Sequence, residues 1–374
     1  MANTRKSLVV GGSVGGMACA ISLRRAGMHV DLTEIDPGWR IYGAGIAITG
    51  PTLRALRMLG VLEEVKKQGA TWAGISILTR AGEPVAEVPT PPIEPGLPGA
   101  GGIMRQALHK IFSAATVEAG VEVRLGTTLE TLTQVPGGVE VKLTDGHRDR
   151  YDLVVGADGI YSKMRERMFP DAPRPTFTGQ VIYRIVAERL DEVEHTLFYM
   201  GEDAQVGFSP VSATHMYMFL LERPPASPWI PLEEQPRRLH QSLEGWGGIV
   251  PQVRAAVMSS AAPTINYRPL ESILLPKPWY KGRVVLIGDA AHAPTPHLSC
   301  GAGLAIEDGI VLGEELKRAD VETALPQFMQ RRFERGRLVV ENSIRLGEID
   351  MNRGSPQDHG RLMAESMQAL RQPM

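Results

Sequence analysis

Asp289 stands inside the run Gly282 to Leu316, GRVVLIGDAAHAPTPHLSCGAGLAIEDGIVLGEEL. Val284 to Ile287 reads as a buried strand, Gly288-Asp289 as the turn that ends it, and Gly301-Ala302-Gly303 as the opening of a long helix. A strand feeding a glycine-rich turn and then a helix sets backbone N–H groups and one carboxylate around a bound polar cofactor.

Two upstream stretches make that reading specific. Leu8 to Val10 is apolar and leads into Gly11-Gly12-Ser13-Val14-Gly15-Gly16, a helical run Met17 to Ala26, and a second strand His29 to Thr33 that ends on Glu34. This is a βαβ dinucleotide fingerprint. Gly11 makes the tight turn, Gly16 allows close helix packing, the helix N-terminus faces a pyrophosphate, and Glu34 is placed to accept from a ribose. The middle glycine of the usual pattern is Ser13, which narrows the backbone approach but adds a small donor. Further on, Asp152 to Arg165, DLVVGADGIYSKMR, is an apolar strand ending in Gly156-Ala157-Asp158-Gly159, then a polar helical start with Ser162 and Arg165.

These three stretches, in this order, resemble the class A flavoprotein aromatic hydroxylases, which carry an N-terminal G-x-G-x-x-G, a mid-chain DGxxSxxR and a late GDAAHxxxP. The resemblance also takes in Gly43-Ala44-Gly45-Ile46, the helix start Arg105-Gln106-Ala107-Leu108, and RRFERGR near the end, so it spans nearly the whole chain. It implies bound FAD, with Asp289 on the ribityl chain and Arg105 near the ribityl or pyrophosphate. Asp158 and Gly159 would order the link from pyrophosphate to nicotinamide site, and Arg40, Gly45 and Ile46 would complete the cofactor contacts. The helix at Gly301-Ala302-Gly303 would aim its positive end at the flavin N1–C2=O edge, its glycines letting the ring approach. No second strand–helix fingerprint is present for NAD(P)H. That fits a family in which NAD(P)H binds only transiently.

Substrate residues follow from the same likeness. Pro296 and His297 lie in the loop expected beside the flavin, and PHLSCGAG is similar to the 6-hydroxynicotinate 3-monooxygenase branch. There His297 would accept or relay a phenolic proton; a backbone hydrogen bond is the competing role. His292 reads as structural, because a strand-end turn needs its polar groups satisfied. The stretch QVGFSPVSATHMYMFLLE resembles the urate hydroxylase hairpin. Tyr217 matches a substrate-side tyrosine, while Gln205 stands where an arginine is expected, which argues against an anion held by a guanidinium. Phe208 and Phe219 are candidates for a ring pocket or plain sheet core. Tyr183 and Arg184 open the same unit, Arg184 as a substrate or flavin-site partner or as an exposed strand arginine. Cys300 reads as packing.

Composition bounds the rest. With 374 residues, the chain can bury a large core in two domains. Forty basic and 42 acidic residues give a net charge of −2, so neither a nucleic-acid nor an anionic-membrane surface is indicated. Two cysteines, Cys19 and Cys300, supply neither a disulfide framework nor metal-ligand spacing, as in a reducing cytoplasm. Met1 to Ser7 lacks a leader-like apolar region, and no run reaches spanning length.

The expected fold is α/β: a Rossmann-like FAD-binding domain over 1–172 and 281–348, with an inserted α+β substrate domain over 173–280 built on an antiparallel sheet. Residues 72–100 could join the second unit, Leu325 to Glu348 is helical, and 349–374 is a C-terminal tail. Pro91 to Gly102 reads as a loop and Leu232 to Trp246 as helix. The expected function is a single-component monooxygenase that hydroxylates a small aromatic or N-heteroaromatic ring with FAD, NAD(P)H and O2, through a C4a-hydroperoxyflavin. The alternatives are a monooxygenase for a larger natural product or antibiotic and a non-hydroxylating flavin redox sensor. Whether the chain forms a homodimer stays open.

Overall fold

The computed structural model describes residues 5–41, 43–224, 228–259, 264–352 and 354–374. Most of Met1 to Ser7, read above for a leader, therefore lies outside the described residues. No helix among the described residues is long and apolar enough to cross a membrane.

One sheet has six strands in the order Tyr280–Lys281, Val284–Leu286, Leu153–Gly156, Lys6–Val10, His29–Glu34, Glu122–Leu125. All neighbours are parallel except the first pair. Its central strands are unbroken apolar runs, as a sheet covered on both faces requires; Leu8, Leu153 and Val284 are wholly buried. Helices Val14–Arg25 and Gly301–Arg318 pack side by side. A Cβ on Gly15 would stand 2.7 Å from the Ala305 Cβ, one on Gly309 2.5 Å from the Cys19 N, and one on Gly313 2.7 Å from the Ser22 Cβ. Rising numbers meet rising numbers, so the helices run parallel. Both N-termini open at the same end, beyond the carboxyl ends of Lys6–Val10 and Val284–Leu286.

A second sheet has eight strands: His292–Ala293, Asn266–Leu274, Thr176–Glu188, His215–Glu222, Ala204–Pro210, Thr196–Met200, Gly74–Thr79 and Pro84–Pro89. Its pairings are antiparallel except Thr196–Met200 with Gly74–Thr79. Side chains alternate between faces and directly paired residues share one. Tyr183, Ile185, Val206, Phe208, Met218 and Leu220 fall on one face, in a core with Leu239 and Val250 from helices Gln235–Ser242 and Val250–Val257. The opposite face carries Arg184 paired with Phe219, Phe219 paired with Gly207, and Gln205 paired with Leu221.

Three segments differ from their sequence expectation. The loop read over Pro91 to Gly102 ends in a strand, Ala100–Met104, paired with Gly45–Thr49 and Ala70–Trp72. Its glycines carry little strand propensity, but a Cβ on Gly102 would stand 2.4 Å from the Pro210 carbonyl oxygen, so close sheet packing selects them. The helix read over Leu232 to Trp246 is a 3-10 turn followed by Gln235–Ser242, and stops before Gly245 at φ +74°. The C-terminal segment, expected as a tail, contains helix Pro356–Arg371, whose Leu362 and Leu370 join Leu298, Leu304, Val339 and Leu346 in a buried cluster.

Candidate cofactor and substrate site

The turn after Lys6–Val10 is built by contacts only glycine tolerates. Gly11 has φ +113°, and a Cβ there would stand 2.3 Å from the Ala157 carbonyl oxygen; one on Gly16 would stand 1.9 Å from the Gly11 carbonyl oxygen. The first helical bond of Val14–Arg25 runs from the Met17 N–H to Ser13, so the N–H groups of Val14, Gly15 and Gly16 have no intrahelical acceptor. Ser13 is exposed and makes no capping bond, and the first turn holds no acidic residue. Glu34 accepts from the Gly12 N–H at 2.8 Å and the Asp36 N–H at 2.9 Å. Trp39 Nε1 donates to the Gly12 carbonyl at 2.9 Å and closes the loop over this turn. Arg40 is largely exposed and paired with Asp36.

Asp158 orders its own turn. Its carboxylate accepts from Ser162 Oγ at 2.5 Å and the Met164 N–H at 3.0 Å, while Ser162 caps the short helix Lys163–Met168. Gly159 takes φ +81° in this turn. Arg165, 2% exposed, donates to the Ile160 carbonyl at 2.6 Å and to the Ala290 carbonyl at 2.9 Å. One guanidinium thus ties the mid-chain motif to the residue after Asp289.

The Gly288-Asp289 turn is held from beneath. The Gly288 N–H donates to Asp308 Oδ2 at 2.8 Å, His292 Nε2 lies 2.6 Å from the same oxygen, and Arg332 Nε donates to Asp308 Oδ1 at 2.8 Å. Arg332 also bonds Glu307, which pairs with Arg335. Burial opposes the charge on Asp308, but His292 and Arg332 outweigh it and hold its pKa down to about 2. Asp289 itself is open to water, yet the protein around it pushes its pKa up, with His292 and Arg105 opposing. A solvent-reachable carboxylate so surrounded lies in a recess.

Facing that recess is the open side of the eight-stranded sheet. Arg184 Nε donates to Tyr217 Oη at 3.1 Å. Burial and the nearby Arg184 pull Arg105 down from the usual guanidinium range, while Tyr217 and Asp289 pull it back. The four side chains therefore share one electrostatic neighbourhood, and Arg105 Nε is buried without a hydrogen bond. Gly45 lets its strand lie against this sheet: a Cβ there would stand 2.7 Å from the Tyr217 Cβ. Ile46 is half-buried beside it, packed against the main core.

The FAD binding domain family profile matches residues 4–345. A 3-amino-4-hydroxybenzoate 2-monooxygenase of Streptomyces platensis is 32% identical over 362 residues, covering 92% of this chain and 88% of that protein. A 2-heptyl-3-hydroxy-4(1H)-quinolone synthase of Pseudomonas aeruginosa is 30% identical over 349 residues, covering 91% and 88%. The chain belongs to the class A flavoprotein aromatic hydroxylases. The crystal structure of Klebsiella pneumoniae HpxO with FAD and uric acid shares the fold, with a TM-score of 0.84, 24% identity, and coverage of 99% of this chain and 93% of that one. The protein is thus an FAD-dependent hydroxylating oxidoreductase.

The residues of this hydroxylase fit FAD. Two parallel helices present uncapped N-termini at one end of the sheet, with Ser13 exposed and the Arg105 Nε unpaired. Gly301 and Ala302 open the second helix, with the Leu304 N–H making the first helical bond to Cys300. Gly303 has a different task from the ring approach expected of it: a Cβ there would stand 2.1 Å from Thr52 Oγ1, so its smallness serves helix Gly50–Met58.

Of the substrate candidates, Arg184, Tyr217, Phe219 and Gln205 share the open face. Tyr183 and Phe208 do not. They lie 3% and 0% exposed in the core on the other face, because each is one residue out of step with the open-face set. Pro296 begins a 3-10 turn through Leu298. His297 is turned toward helix Val321–Met351: a Cβ on Gly347 would stand 2.8 Å from its Cε1. The sequence reading missed Arg332 and Asp308 as supports of the Asp289 turn. Glu307-Asp308 inside an otherwise apolar helix, with Arg332 in RRFERGR, was the available signal, since buried charges require partners.

Proposed function

We propose that this protein hydroxylates a small aromatic or N-heteroaromatic ring bound between the Asp289 recess and the sheet face carrying Arg184, Tyr217 and Phe219. The observation that carries this reading is the Arg184–Tyr217 pair at 3.1 Å beside Arg105. Because Arg184 donates to the phenol oxygen, the Tyr217 proton is free to donate outward, to a ring oxygen. Two guanidinium groups nearby favour negative charge on that oxygen, and an electron-rich ring is what an electrophilic oxygen donor requires. Bound FAD, reduced by transient NAD(P)H and reacting with O2, supplies that oxygen. Phe219, lying over Gly207 where a Cβ would stand 2.2 Å from its ring, offers a face for stacking. The relatives that act on an aminohydroxybenzoate and make a hydroxyquinolone support the ring class. Both cysteines are buried and unpaired, which supports a reducing, cytoplasmic setting.

The test is NAD(P)H oxidation by the FAD-loaded protein against phenols, hydroxybenzoates, hydroxypyridines, quinolones and purines, with products read by mass. Oxidation stimulated by a ring, with one oxygen added to it, is expected. Bound FAD with no stimulation by any of these rings would reject the small-ring reading in favour of a larger substrate or a redox sensor.

A further inference from the structure

At the amino ends of the strands of the six-stranded sheet, three side chains with metal-ligating atoms meet. His29 opens strand His29–Glu34, and Asp31 follows two residues later on the same face. Glu122 opens the edge strand Glu122–Leu125 and is the register partner of Asp31. Glu34, which holds the Gly12 turn, closes the same strand that His29 opens, so about 17 Å separates the two ends. His29 Nε2 stands 3.3 Å from Asp31 Oδ1 and 3.2 Å from Glu122 Oε1. The three donor atoms lie within 4.8 Å of one another. The His29 and Glu122 side chains are 35% and 56% exposed, and that of Asp31 is 1% exposed. An ion therefore reaches Asp31 by displacing a solvent-open imidazole, not by crossing packed core.

Asp31 is the residue that calls for a ligand. Its Oδ2 accepts from Tyr151 Oη at 2.5 Å, with Lys6 Nζ 3.3 Å away. Burial, with Asp31 adding to it, pushes the Tyr151 phenol up, so it keeps its proton and donates it to Oδ2. Among the described residues, Oδ1 is buried and finds no hydrogen-bond partner. A buried carboxylate oxygen left unpaired is costly. Zinc holds nitrogen and oxygen ligands at about 2.0–2.2 Å, which spaces tetrahedral neighbours about 3.4 Å apart. The two gaps flanking His29 Nε2 match that spacing. Lys6, shared with Asp149, and Arg124, which acts on Tyr151, bring positive charge nearby. The carboxylates of Asp31, Glu122 and Asp149 outnumber those two cations. A second grouping, Asp31 with His147 and Asp149, has similar spacing. There the Lys6 ammonium already sits between the two carboxylates.

We propose that His29, Asp31 and Glu122 form a site for a divalent metal ion of the zinc type, bound by His29 Nε2, Asp31 Oδ1 and Glu122 Oε1 with water in the remaining position. One imidazole and two carboxylates suit such an ion, and Tyr151 is the outer partner that orients the Asp31 carboxylate. The ion ties the edge strand Glu122–Leu125 to its neighbour. Its role is structural, and it stands independently of the hydroxylase reading above.

The experiment strips the untagged, FAD-loaded full chain with a chelating resin and titrates it calorimetrically with zinc chloride, magnesium chloride serving as the control. One zinc per chain is expected, with a raised Tm, and magnesium at the same concentrations should give neither. His29→Gln and Glu122→Gln change exposed side chains and should each weaken zinc binding at least tenfold, with FAD content unchanged. His147→Gln should leave zinc binding as it is, which separates the two groupings. A wild-type protein that binds no zinc would leave His29 as an ion-pair partner of the two acids only, and overturns the inference. Zinc affinity that survives either His29→Gln or Glu122→Gln, or that is lost in His147→Gln, overturns it as well.

Discussion

Asp308 accepts the Gly288 N–H at 2.8 Å from a helix twenty residues farther along the chain. The carboxylate beneath the turn thereby fixes the backbone that presents the carboxylate above it, Asp289. Asp308 is itself held by His292 and Arg332 in a site where all three side chains are essentially inaccessible to solvent. Removing its charge leaves a buried guanidinium short of a partner. Asp308→Asn should destabilise the protein by about 3–5 kcal/mol, measured by denaturant unfolding, and should lower FAD retention.

The same carboxylate makes a pH prediction. Its folded pKa of about 2 lies below the unfolded value of about 3.9. The stabilisation is therefore complete above the unfolded value and drains away as pH falls through the folded one. Acid unfolding of the wild type should show this contribution, and the Asp308→Asn protein should lack it. Parallel acid titrations of the two would refute the assignment.

Asp289→Ala should leave folding nearly intact, because Asp289 is open to water and the turn is held by Gly288. The variant should purify with less than stoichiometric FAD. Full FAD content with unaltered turnover would remove Asp289 from the cofactor site.

Arg165→Lys tests the link between the two motifs. Lysine cannot reproduce the forked donation to the Ile160 and Ala290 carbonyls. A loss of about 1–3 kcal/mol for buried acceptors left unpaired is expected, with weaker FAD binding as the second readout.

Tyr217→Phe and Phe208→Leu separate the two faces of the sheet. The first removes the hydroxyl that Arg184 engages and should depress hydroxylation at least tenfold with FAD content unchanged. The second alters a wholly buried core ring, costing stability and leaving the KM for the ring unchanged. A selective rise in KM with Phe208→Leu would contradict the register described above.

The same contrast separates what is legible in the sequence from what is not. The three motifs located the tight turns because Gly11, Gly16, Asp158 and Asp289 sit where local backbone geometry dictates residue type. Strand existence was legible as alternation. Which alternate residues share the open face was not, since parity depends on registers such as Arg184 with Phe219, and a shift of one residue inverts a face. Arg184, Tyr217, Phe219 and Gln205 fell on one side, Tyr183 and Phe208 on the other. Glu122 carried no motif at all. Its meeting with His29 and Asp31 is made by strand pairing, and spacing along the chain holds no trace of it.

The parallel crossing of helices Val14–Arg25 and Gly301–Arg318 has a consequence for biosynthesis. The glycine contacts that seat them, Gly15 on Ala305 and Gly309 on Cys19, join segments 290 residues apart in the chain. Until the later helix has been made, the small-residue face of Val14–Arg25 has nothing to pack against.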